Sequence, residues 1–215
     1  MARWFGFEGG PAWTERYNVA PSQDVPVVRQ AEAGDRRECV LMRWGLVPSW
    51  AREASFTAST INARVETVAV KPAFRDPFRR RRCLVPADGF YEWKPTGHKH
   101  KQPFVIRPVD GKPLAFAGLW DRWQGPQDET LESMTIVTTE ANDLLRPLHE
   151  RMPVILSPEH YALWLDPHFQ HTDELMRLLT PYPAGRLSVA AISSYVSNAR
   201  HEGPRCLEPE QKELV

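Results

Sequence analysis

The chain has 215 residues, 42% of them hydrophobic, which is enough to bury the core of a single domain over residues 1–215. Lysine plus arginine and aspartate plus glutamate each number 27, so net charge cannot attract nucleic acid and any basic site must be local. The sequence has neither an apolar run near the roughly 20 residues that span a bilayer nor a signal-peptide pattern, so we expect a cytoplasmic protein without a membrane partner.

The three cysteines are Cys39, Cys83 and Cys206. They form no CxxC pair, and no histidine stands at metal-ligand spacing from them. This pattern argues against a disulfide framework and against a zinc site. We therefore expect reduced, structural thiols, and we expect neither a metal nor a cofactor.

Short apolar or β-branched segments bounded by glycine, proline or polar clusters predict strands. These segments are residues 25–28, 39–44, 82–86, 104–106, 114–119, 135–138 and 189–192. Helix signals are fewer: residues 157–165 and 172–179 carry acidic first turns and capping residues, and residues 141–145 form a weaker third candidate. Strands dominate without regular alternation, which predicts an α+β fold with a mixed, mainly antiparallel sheet or barrel and peripheral helices.

Two polar stretches separate predicted strands. Residues 94–102 contain Gly97 and indicate an exposed hairpin loop, and residues 124–132 are expected to project into solvent in the same way. Neither stretch has the composition of a catalytic segment.

Several polar segments lie within strand-like surroundings and could present side chains at strand ends; they begin at Arg16, Ile61, Asp88 and His149. If residues 61–67 are extended, Asn62, Arg64 and Glu66 share one face. That face could meet a phosphate backbone, or it could be the solvated face of an edge strand. Alternation alone does not decide between them.

Glu92 and His149 are candidates for acid–base chemistry. Glu92 lies between Tyr91 and Trp93, where partial burial would raise its pKa towards neutrality. His149 lies in a turn-rich setting where an imidazole could face a cleft. An exposed strand glutamate and a structural histidine are the alternatives.

Two further features could contact DNA. The run Arg79-Arg80-Arg81-Arg82 could neutralise phosphates or be simply solvated. Trp44 and Trp50 flank a short Gly-Pro loop, where an exposed indole could stack on a base; the alternative is that one or both belong to the core.

Taken together in this order, the motifs resemble the SOS response-associated peptidase (SRAP) family. They are RYNVAP from Arg16, W-G-L-V-P-x-W from Trp44, NARxET from Asn62, ADGFYEWK from Ala87, TxxAN from Thr138 and H-x-RMP-V-I-L from His149. The similarity spans about residues 16–204, and six motifs in the same order make a chance match improbable.

The resemblance implies a β-rich fold with a positively charged groove for single-stranded DNA, and a covalent chemistry at abasic sites. In the family, removal of the initiator methionine exposes a cysteine. Its amine condenses with the aldehyde of the ring-opened site, and its thiol closes a thiazolidine. An α-amine has a pKa near 8, so an appreciable fraction is nucleophilic at cellular pH.

By motif position, the resemblance assigns catalytic roles to Asn62, Glu92 and His149. Asn62 corresponds to the asparagine that hydrogen-bonds the amine, Glu92 to the carboxylate that orients and deprotonates it, and His149 to the group that helps open the sugar. DNA-positioning roles are implied for Arg64, Arg151, Trp50, Trp93 and Lys71; Lys71 stands beside Pro72, where the family has a basic residue.

The sequence departs from the family at its start. The family begins Met-Cys-Gly-Arg, whereas this chain begins Met1-Ala2-Arg3-Trp4, so the thiol is absent and a thiazolidine cannot form. Removal of Met1 would expose the amine of Ala2, which could still form a reversible imine with an abasic aldehyde. Ala2 is therefore included among the expected catalytic residues.

Three functions remain open from the sequence. The leading one is a monomeric sensor of abasic sites in single-stranded DNA that forms a covalent crosslink, with peptidase or lyase activity on its own product. The second is a noncatalytic single-stranded-DNA-binding relative. The third, a general thiol or serine peptidase, is weakest because no nucleophile is recognisably paired with His149.

Overall fold

β-strands dominate the part of the chain that this computed structural model describes, namely residues 1–32, 34, 36–55, 58–97 and 101–210. The strands are β1 Asp24–Gln30, β2 Arg37–Trp44, β3 Asn62–Arg64, β4 Arg82–Ala87, β5 Phe90–Pro95, β6 Lys101–Pro108, β7 Leu114–Gln124, β8 Thr130–Glu140, β9 Arg151–Pro153 and β10 Leu187–Ala191. The α-helices are short: α1 Ala2–Phe5, α2 Arg75–Arg80, α3 Tyr161–Leu165 and α4 Thr172–Arg177.

Five of these strands close into a barrel. The order β2–β1–β4–β7–β8 is antiparallel throughout, and the end of β2 then pairs in parallel with β8 through Arg43 with Ser133 and Trp44 with Met134. Closure leaves these strands without a free edge along the paired region. The predicted α+β fold with a mainly antiparallel barrel and peripheral helices is confirmed.

Two three-residue strands flank the end of β8. β3 runs parallel to β8, with Arg64 opposite Thr138, and β9 runs antiparallel to it, with Pro153 opposite the same threonine. The far end of β8 is therefore bordered by two strands whose sequences carry polar motif residues.

A second sheet contains β5, β6 and β10, with β6 in the centre. β5 and β6 form an antiparallel hairpin in which Glu92 is opposite Phe104. Leu187–Ala191 then pairs antiparallel on the other side of β6. This sheet carries Glu92, whereas the barrel and its flanking strands carry the other motif residues.

The barrel strands β1, β4, β7 and β8 are largely buried on both faces, whereas β2 is partly exposed. In β4, Cys83 and Val85 belong to one buried cluster, whereas Leu84 belongs to a second cluster that includes Phe78 of α2 and Trp164 of α3. This assignment follows from the two-residue alternation of a strand. The helices thus cover the second face of the sheet.

The structure confirms each of the predicted strands, with shifts at their ends, but contains three more, β3, β5 and β9. The helix predicted over residues 157–165 is a 3-10 turn, Pro158–His160, followed by α3, and the one over residues 172–179 is α4. The prediction of a helix over residues 141–145 is wrong: the segment forms turns, with the N–H of Leu145 bonded to the Asn142 carbonyl rather than continuing a helix.

Both predicted hairpin loops are confirmed, and both are shorter than expected. β5 extends to Pro95, which pairs with Lys101, although residues 98–100 lie outside the described part of the chain. β7 extends to Gln124 and β8 begins at Thr130, leaving residues 125–129 as the connection.

Candidate active site

Glu92 occupies a partly enclosed position on β5. The chain reaches this strand through Gly89, where a Cβ atom would lie 2.5 Å from the carbonyl oxygen of Ile106, so a side chain there would push β5 away from β6. The Glu92 side chain is 19% exposed. Burial raises the pKa of Glu92, while the nearby His149 and Lys101 oppose the rise. A carboxyl with a raised pKa is suited to proton transfer near neutral pH.

His149 lies at the end of the turn before β9 and faces Glu92. Its Nδ1 is 3.9 Å from Oε1 of Glu92, and the imidazole is 52% exposed. The backbone N–H of Arg151 donates to the same Nδ1 at 3.1 Å. Nδ1 also lies 3.1 Å from the carbonyl oxygen of Arg151, so the backbone of this one residue offers the nitrogen both a donor and an acceptor.

The guanidinium of Arg151 is held by a carboxylate and a carbonyl. Its Nη1 and Nη2 donate to the two carboxylate oxygens of Glu66, at 2.5 and 3.0 Å, and Nη2 also donates to the Thr138 carbonyl at 2.6 Å. Its Nε is buried and has no hydrogen-bond partner among the described residues. Arg151 is thus close to His149, but Glu66 occupies the face with which a guanidinium binds phosphate.

Asn62 and Arg64 are the two exposed residues of β3, with Ala63 buried between them. The predicted alternation is confirmed over this strand, whereas Glu66 lies in the 3-10 turn Val65–Thr67 that follows. Within the described residues, neither the Asn62 nor the Arg64 side chain takes part in a hydrogen bond or an ion pair. Both are therefore free to bind a ligand.

The structure places four of the predicted residues around the end of β8. Glu92 and His149 are adjacent, Arg151 follows His149 on β9, and Arg64 lies on the other side of β8. Asn62 is opposite Ile136, which lies two residues before Thr138 on β8.

Ala2 begins α1, whose Phe5 stacks on Tyr161 of α3 at 5.7 Å and accepts a hydrogen bond from Arg37 at 2.8 Å. Of the described residues, Asn62, Glu92 and His149 make no hydrogen bond or ion pair with Met1 or Ala2. The role of Ala2 therefore stays a prediction.

The predicted aromatic residues differ in exposure. Trp50 is 64% exposed, on a loop fixed by hydrogen bonds from Ser49 N–H to Asp121 and from the Trp123 indole to the Ala51 carbonyl. Trp44 is partly buried against the core, and its indole donates to the Ile61 carbonyl. The core alternative thus holds for Trp44 and not for Trp50.

Trp93 lies on the face of β5 opposite to Glu92, since successive residues of a strand alternate. Its indole N–H donates to Ser197 Oγ at 3.0 Å, and its ring packs on a cluster that contains Val196 and Cys206. This position separates Trp93 from the Glu92 carboxylate. Lys71 is exposed in the turn that precedes α2.

The four-arginine run does not act as one basic patch. Arg82 is buried and donates to five backbone carbonyls, those of Phe78, Arg79, Trp164, Asp166 and Phe169. Burial lowers its pKa to about 10. Arg81 pairs with the buried Asp121 at 2.6 Å. The idea that the whole run neutralises phosphates is wrong for these two residues, and Arg79 and Arg80 alone are exposed.

The three cysteines are all buried and unpaired, as predicted. Burial raises the pKa of each thiol, so none is activated as a nucleophile. No cluster of metal-ligating side chains occurs among the residues described. In the same part of the chain, no helix is both long and apolar enough to cross a membrane.

Sequence reasoning gave no role to the contact between the RYNVAP segment and the carboxy-terminal motif. The Glu202 carboxylate accepts hydrogen bonds from the N–H groups of Tyr17 and Asn18 and pairs with Arg16. The buried Asn18 amide donates to three carbonyls of residues 196–201, and the Tyr91 hydroxyl donates to the Tyr17 carbonyl. We call this arrangement the terminal clasp; it lies behind β5, on the side away from Glu92.

The sequence is similar to proteins that are named for the processing of abasic sites. Abasic site processing protein YoqW of Bacillus subtilis (strain 168) is 40% identical over 192 residues, which cover 89% of this chain and 85% of that protein. Abasic site processing protein HMCES of Rattus norvegicus is 33% identical over 230 residues, covering 90% of this chain and 64% of that protein.

Solved structures share the fold. A protein from Bacteroides thetaiotaomicron superposes with a TM-score of 0.77 at 28% identity, covering 88% of this chain and 82% of that one. One from Bordetella bronchiseptica gives 0.76 at 31% identity, covering 90% and 94%. The family model described as SOS response associated peptidase (SRAP) matches residues 2–199. The chain therefore belongs to the SRAP family.

Proposed function

We propose that this chain processes abasic sites in single-stranded DNA and that the chemistry takes place at Glu92 and His149. The observation that carries the proposal is the 3.9 Å approach of these two side chains, Glu92 from β5 and His149 from the turn before β9. The names of its relatives YoqW and HMCES, abasic site processing proteins, support the substrate.

Glu92 acts as the proton acceptor in this proposal. Burial raises its pKa, so this pKa is closer to neutral pH than that of an exposed glutamate. The carboxylate is therefore a better base for an ammonium group. His149 acts as the proton donor in its imidazolium form, in which Nδ1 donates to the Arg151 carbonyl and Nε2 carries the proton that is transferred. Protonation of the deoxyribose ring oxygen by His149, with loss of the C1′ hydroxyl proton to water, would open the sugar to its aldehyde.

The nucleophile is the α-amine of Ala2 after removal of Met1, and this part of the proposal rests on the family resemblance. The amine nitrogen would add to the aldehyde carbon, and loss of water would give an imine. The amine must come within hydrogen-bond distance of Glu92 for this step, and α1, which carries Ala2, is held by the stacking of Phe5 on Tyr161. Hydrolysis of the imine would release the intact strand. β-Elimination would instead break the C3′–O bond, with the phosphate as leaving group, and the remaining part of the strand would leave the protein only when water hydrolyses the imine.

Single-stranded DNA binds in this proposal through phosphate contacts of Arg64, Arg151 and Lys71. Arg64 and Lys71 are exposed and free of ion pairs within the described residues. Asn62 would hydrogen-bond the reacting amine, and Trp50 would stack on an unpaired base. Trp93 would contribute through the part of its ring that remains accessible beside Ser197.

The proposal is tested with an end-labelled single-stranded oligonucleotide that contains one abasic site, incubated with the chain in the presence or absence of borohydride and resolved on a denaturing gel. The chain as given should form a stable adduct only when borohydride reduces the imine. An Ala2→Cys variant should form an adduct without reduction, because its thiol adds to the imine carbon and closes a five-membered ring.

Variants of the pair separate the roles of the individual residues. Glu92→Gln and His149→Ala should each slow adduct formation by about 10²-fold or more, as expected for loss of one acid–base group, with single-strand affinity retained. Efficient single-strand binding without a trapped adduct in either the Ala2 or the Cys form would refute the covalent part of the proposal. An adduct that forms at an unchanged rate in Glu92→Gln would remove Glu92 from it.

A further inference from the structure

A run of basic side chains follows Arg64 along the segment that leads from β3 to α2. The inner side of this segment is apolar: Val68, Phe74 and Phe78 are buried in the core cluster beneath the helices. These anchors fix which side of the segment faces solvent. That outer side carries Lys71, Arg75 and Arg79, all exposed.

These three residues recur at a spacing of four. The Arg75 N–H donates to the Lys71 carbonyl at 2.9 Å, which is a helical turn, and Arg75 and Arg79 both belong to α2. Residues four apart in a helix lie on one face and rise about 6 Å between them. Lys71, Arg75 and Arg79 therefore form a row of cations along one side of this segment, which we call the basic stripe.

Several other arginines of this neutral chain are paired with carboxylates, whereas within the described residues Lys71 and Arg79 of the basic stripe are in no ion pair. Arg29 pairs with Glu38 and Glu132, and Arg81, Arg122 and Arg151 pair with carboxylates as well. In the stripe, the one ion pair among described residues is Arg75 with Asp76 at 4.0 Å, with the two side chains 54% and 64% exposed. Such a long, solvated pair leaves the cation available.

The basic stripe is continuous with the candidate active site. The Lys71 N–H donates to the Thr67 carbonyl at 2.9 Å, and Thr67 ends the turn that directly follows Arg64. That turn also holds Glu66, the partner of Arg151. Between Arg64 and Lys71 the one acidic residue is Glu66, whose charge is paired with Arg151.

We propose that the basic stripe binds successive phosphates of the DNA strand where it leaves the active site, as a contact area separate from the catalytic residues. This inference rests on the proposed function, because it takes single-stranded DNA as the ligand of the adjacent site. A line of long, flexible cations fits a polyanion of regular charge spacing. Because it offers no aromatic or amide group for base edges, it binds without regard to sequence.

The test compares a triple variant, Lys71→Ala with Arg75→Ala and Arg79→Ala, with a control triple variant, Arg177→Ala with Arg186→Ala and Arg200→Ala. The control removes the same charge from other exposed positions. Affinity for oligothymidylates of about 5 and about 20 nucleotides is measured against salt concentration. For single strands the slope of log K against log salt changes by about 0.7 for each phosphate contact.

With the longer oligonucleotide, the stripe variant should make this negative slope less steep by about 2, the value for three contacts. The control variant should change the slope little. With the shorter one, which reaches the candidate active site and Lys71 alone, the stripe variant should reduce the slope by no more than about 0.7, the value for one contact, and the control variant should again change it little. Equal slopes for the stripe and control variants would overturn the inference while leaving the proposed function intact. Absence of binding by the unmodified chain would instead refute the proposed function. Thermal unfolding of each variant establishes that the fold is retained.

Discussion

The Glu92 carboxylate lies 3.9 Å from Nδ1 of His149, and this contact joins the three-stranded sheet to the strands that border the barrel. A second contact orients each of the two residues. The backbone N–H of Arg151 donates to the imidazole, and the terminal clasp packs against the opposite face of β5. The pair is therefore oriented in the free protein, so little rearrangement of these two groups is needed for proton transfer.

Replacing Glu92 by Gln should change how stability depends on pH. Burial raises the pKa of Glu92 in the folded state, so the folded state binds a proton more tightly than the unfolded state does. The contribution of the Glu92 carboxyl to the free energy of unfolding is therefore present at low pH. It is lost as pH rises from the ordinary glutamate pKa through the raised one. The glutamine variant has no such loss.

The measurement is the thermal midpoint of both proteins between pH 4 and 8. The advantage of Glu92→Gln over the unmodified chain should grow as pH rises. Glu140→Gln, an exposed residue on the neighbouring β8, serves as the control and should show a constant difference. A constant difference for Glu92→Gln as well would show that the carboxyl is not destabilised by burial.

Replacing Glu66 by Gln should strengthen single-strand binding. Glu66 accepts two hydrogen bonds from Arg151, so a DNA phosphate must compete with it for the guanidinium. Removal of its charge frees Arg151, and we expect affinity to rise roughly threefold to tenfold, equivalent to an exposed ion pair of about 1 kcal/mol. Fluorescence anisotropy with a short oligonucleotide measures the change.

Glu150→Gln removes the same charge from an exposed position next to Arg151 and controls for the general electrostatic effect. If both variants gain affinity equally, competition at Arg151 is not the cause. The hydrogen bond with Arg151 also lowers the pKa of Glu66. The stability that it contributes is thus present above the ordinary glutamate pKa and lost as pH falls through the lowered one.

Truncation of Trp50 should weaken binding to single strands. Its indole is 64% exposed on a loop held by Asp121 and Trp123, so it is positioned to stack at low entropic cost. Trp50→Ala should reduce affinity by about 1–3 kcal/mol, the value for one stacked base. Trp13→Ala, at 39% exposure, is the matched control; an equal loss in both variants would argue against a specific stacking position.

Arg82 should be required for stability and not for DNA binding. It satisfies five carbonyls around the ends of α2 and α3, and Arg82→Met would leave them buried without a donor. We expect a loss of about 3 kcal/mol in the free energy of unfolding, measured with urea. Arg80→Ala, at an exposed position of the same run, should change it by less than about 0.5 kcal/mol. A stable Arg82→Met variant with weakened DNA affinity would reverse this assignment.

The strands of the barrel could be predicted because burial on both faces selects continuous apolar segments such as residues 25–28 and 114–119. β3 and β9 could not, since three residues with polar neighbours carry too little pattern to be distinguished from a loop. The local sequence also wrongly predicted a helix over residues 141–145. There the Asn142 side chain accepts a hydrogen bond from the Leu145 N–H and closes a turn instead.

The candidate site was predicted as a set of motifs, and its geometry depends on pairings between segments distant in the sequence. The adjacency of Glu92 and His149 follows from the packing of two sheets. The partner of Arg151, Glu66, was noted in the sequence as a member of a polar face and not as a counter-ion. The roles of Ala2, Asn62 and the DNA-binding residues, and the single domain over residues 1–215, stay predictions.

The terminal clasp makes the first and last parts of the domain depend on each other. Because Glu202 holds Tyr17 and Asn18, removing the residues from Ser194 onward would deprive the RYNVAP segment of its anchor and uncover Tyr91 and Trp93 behind Glu92. Loss of the last part of the polypeptide would then alter the surroundings of the Glu92 carboxylate without contacting it, while the barrel, which the terminal clasp does not join, stays folded.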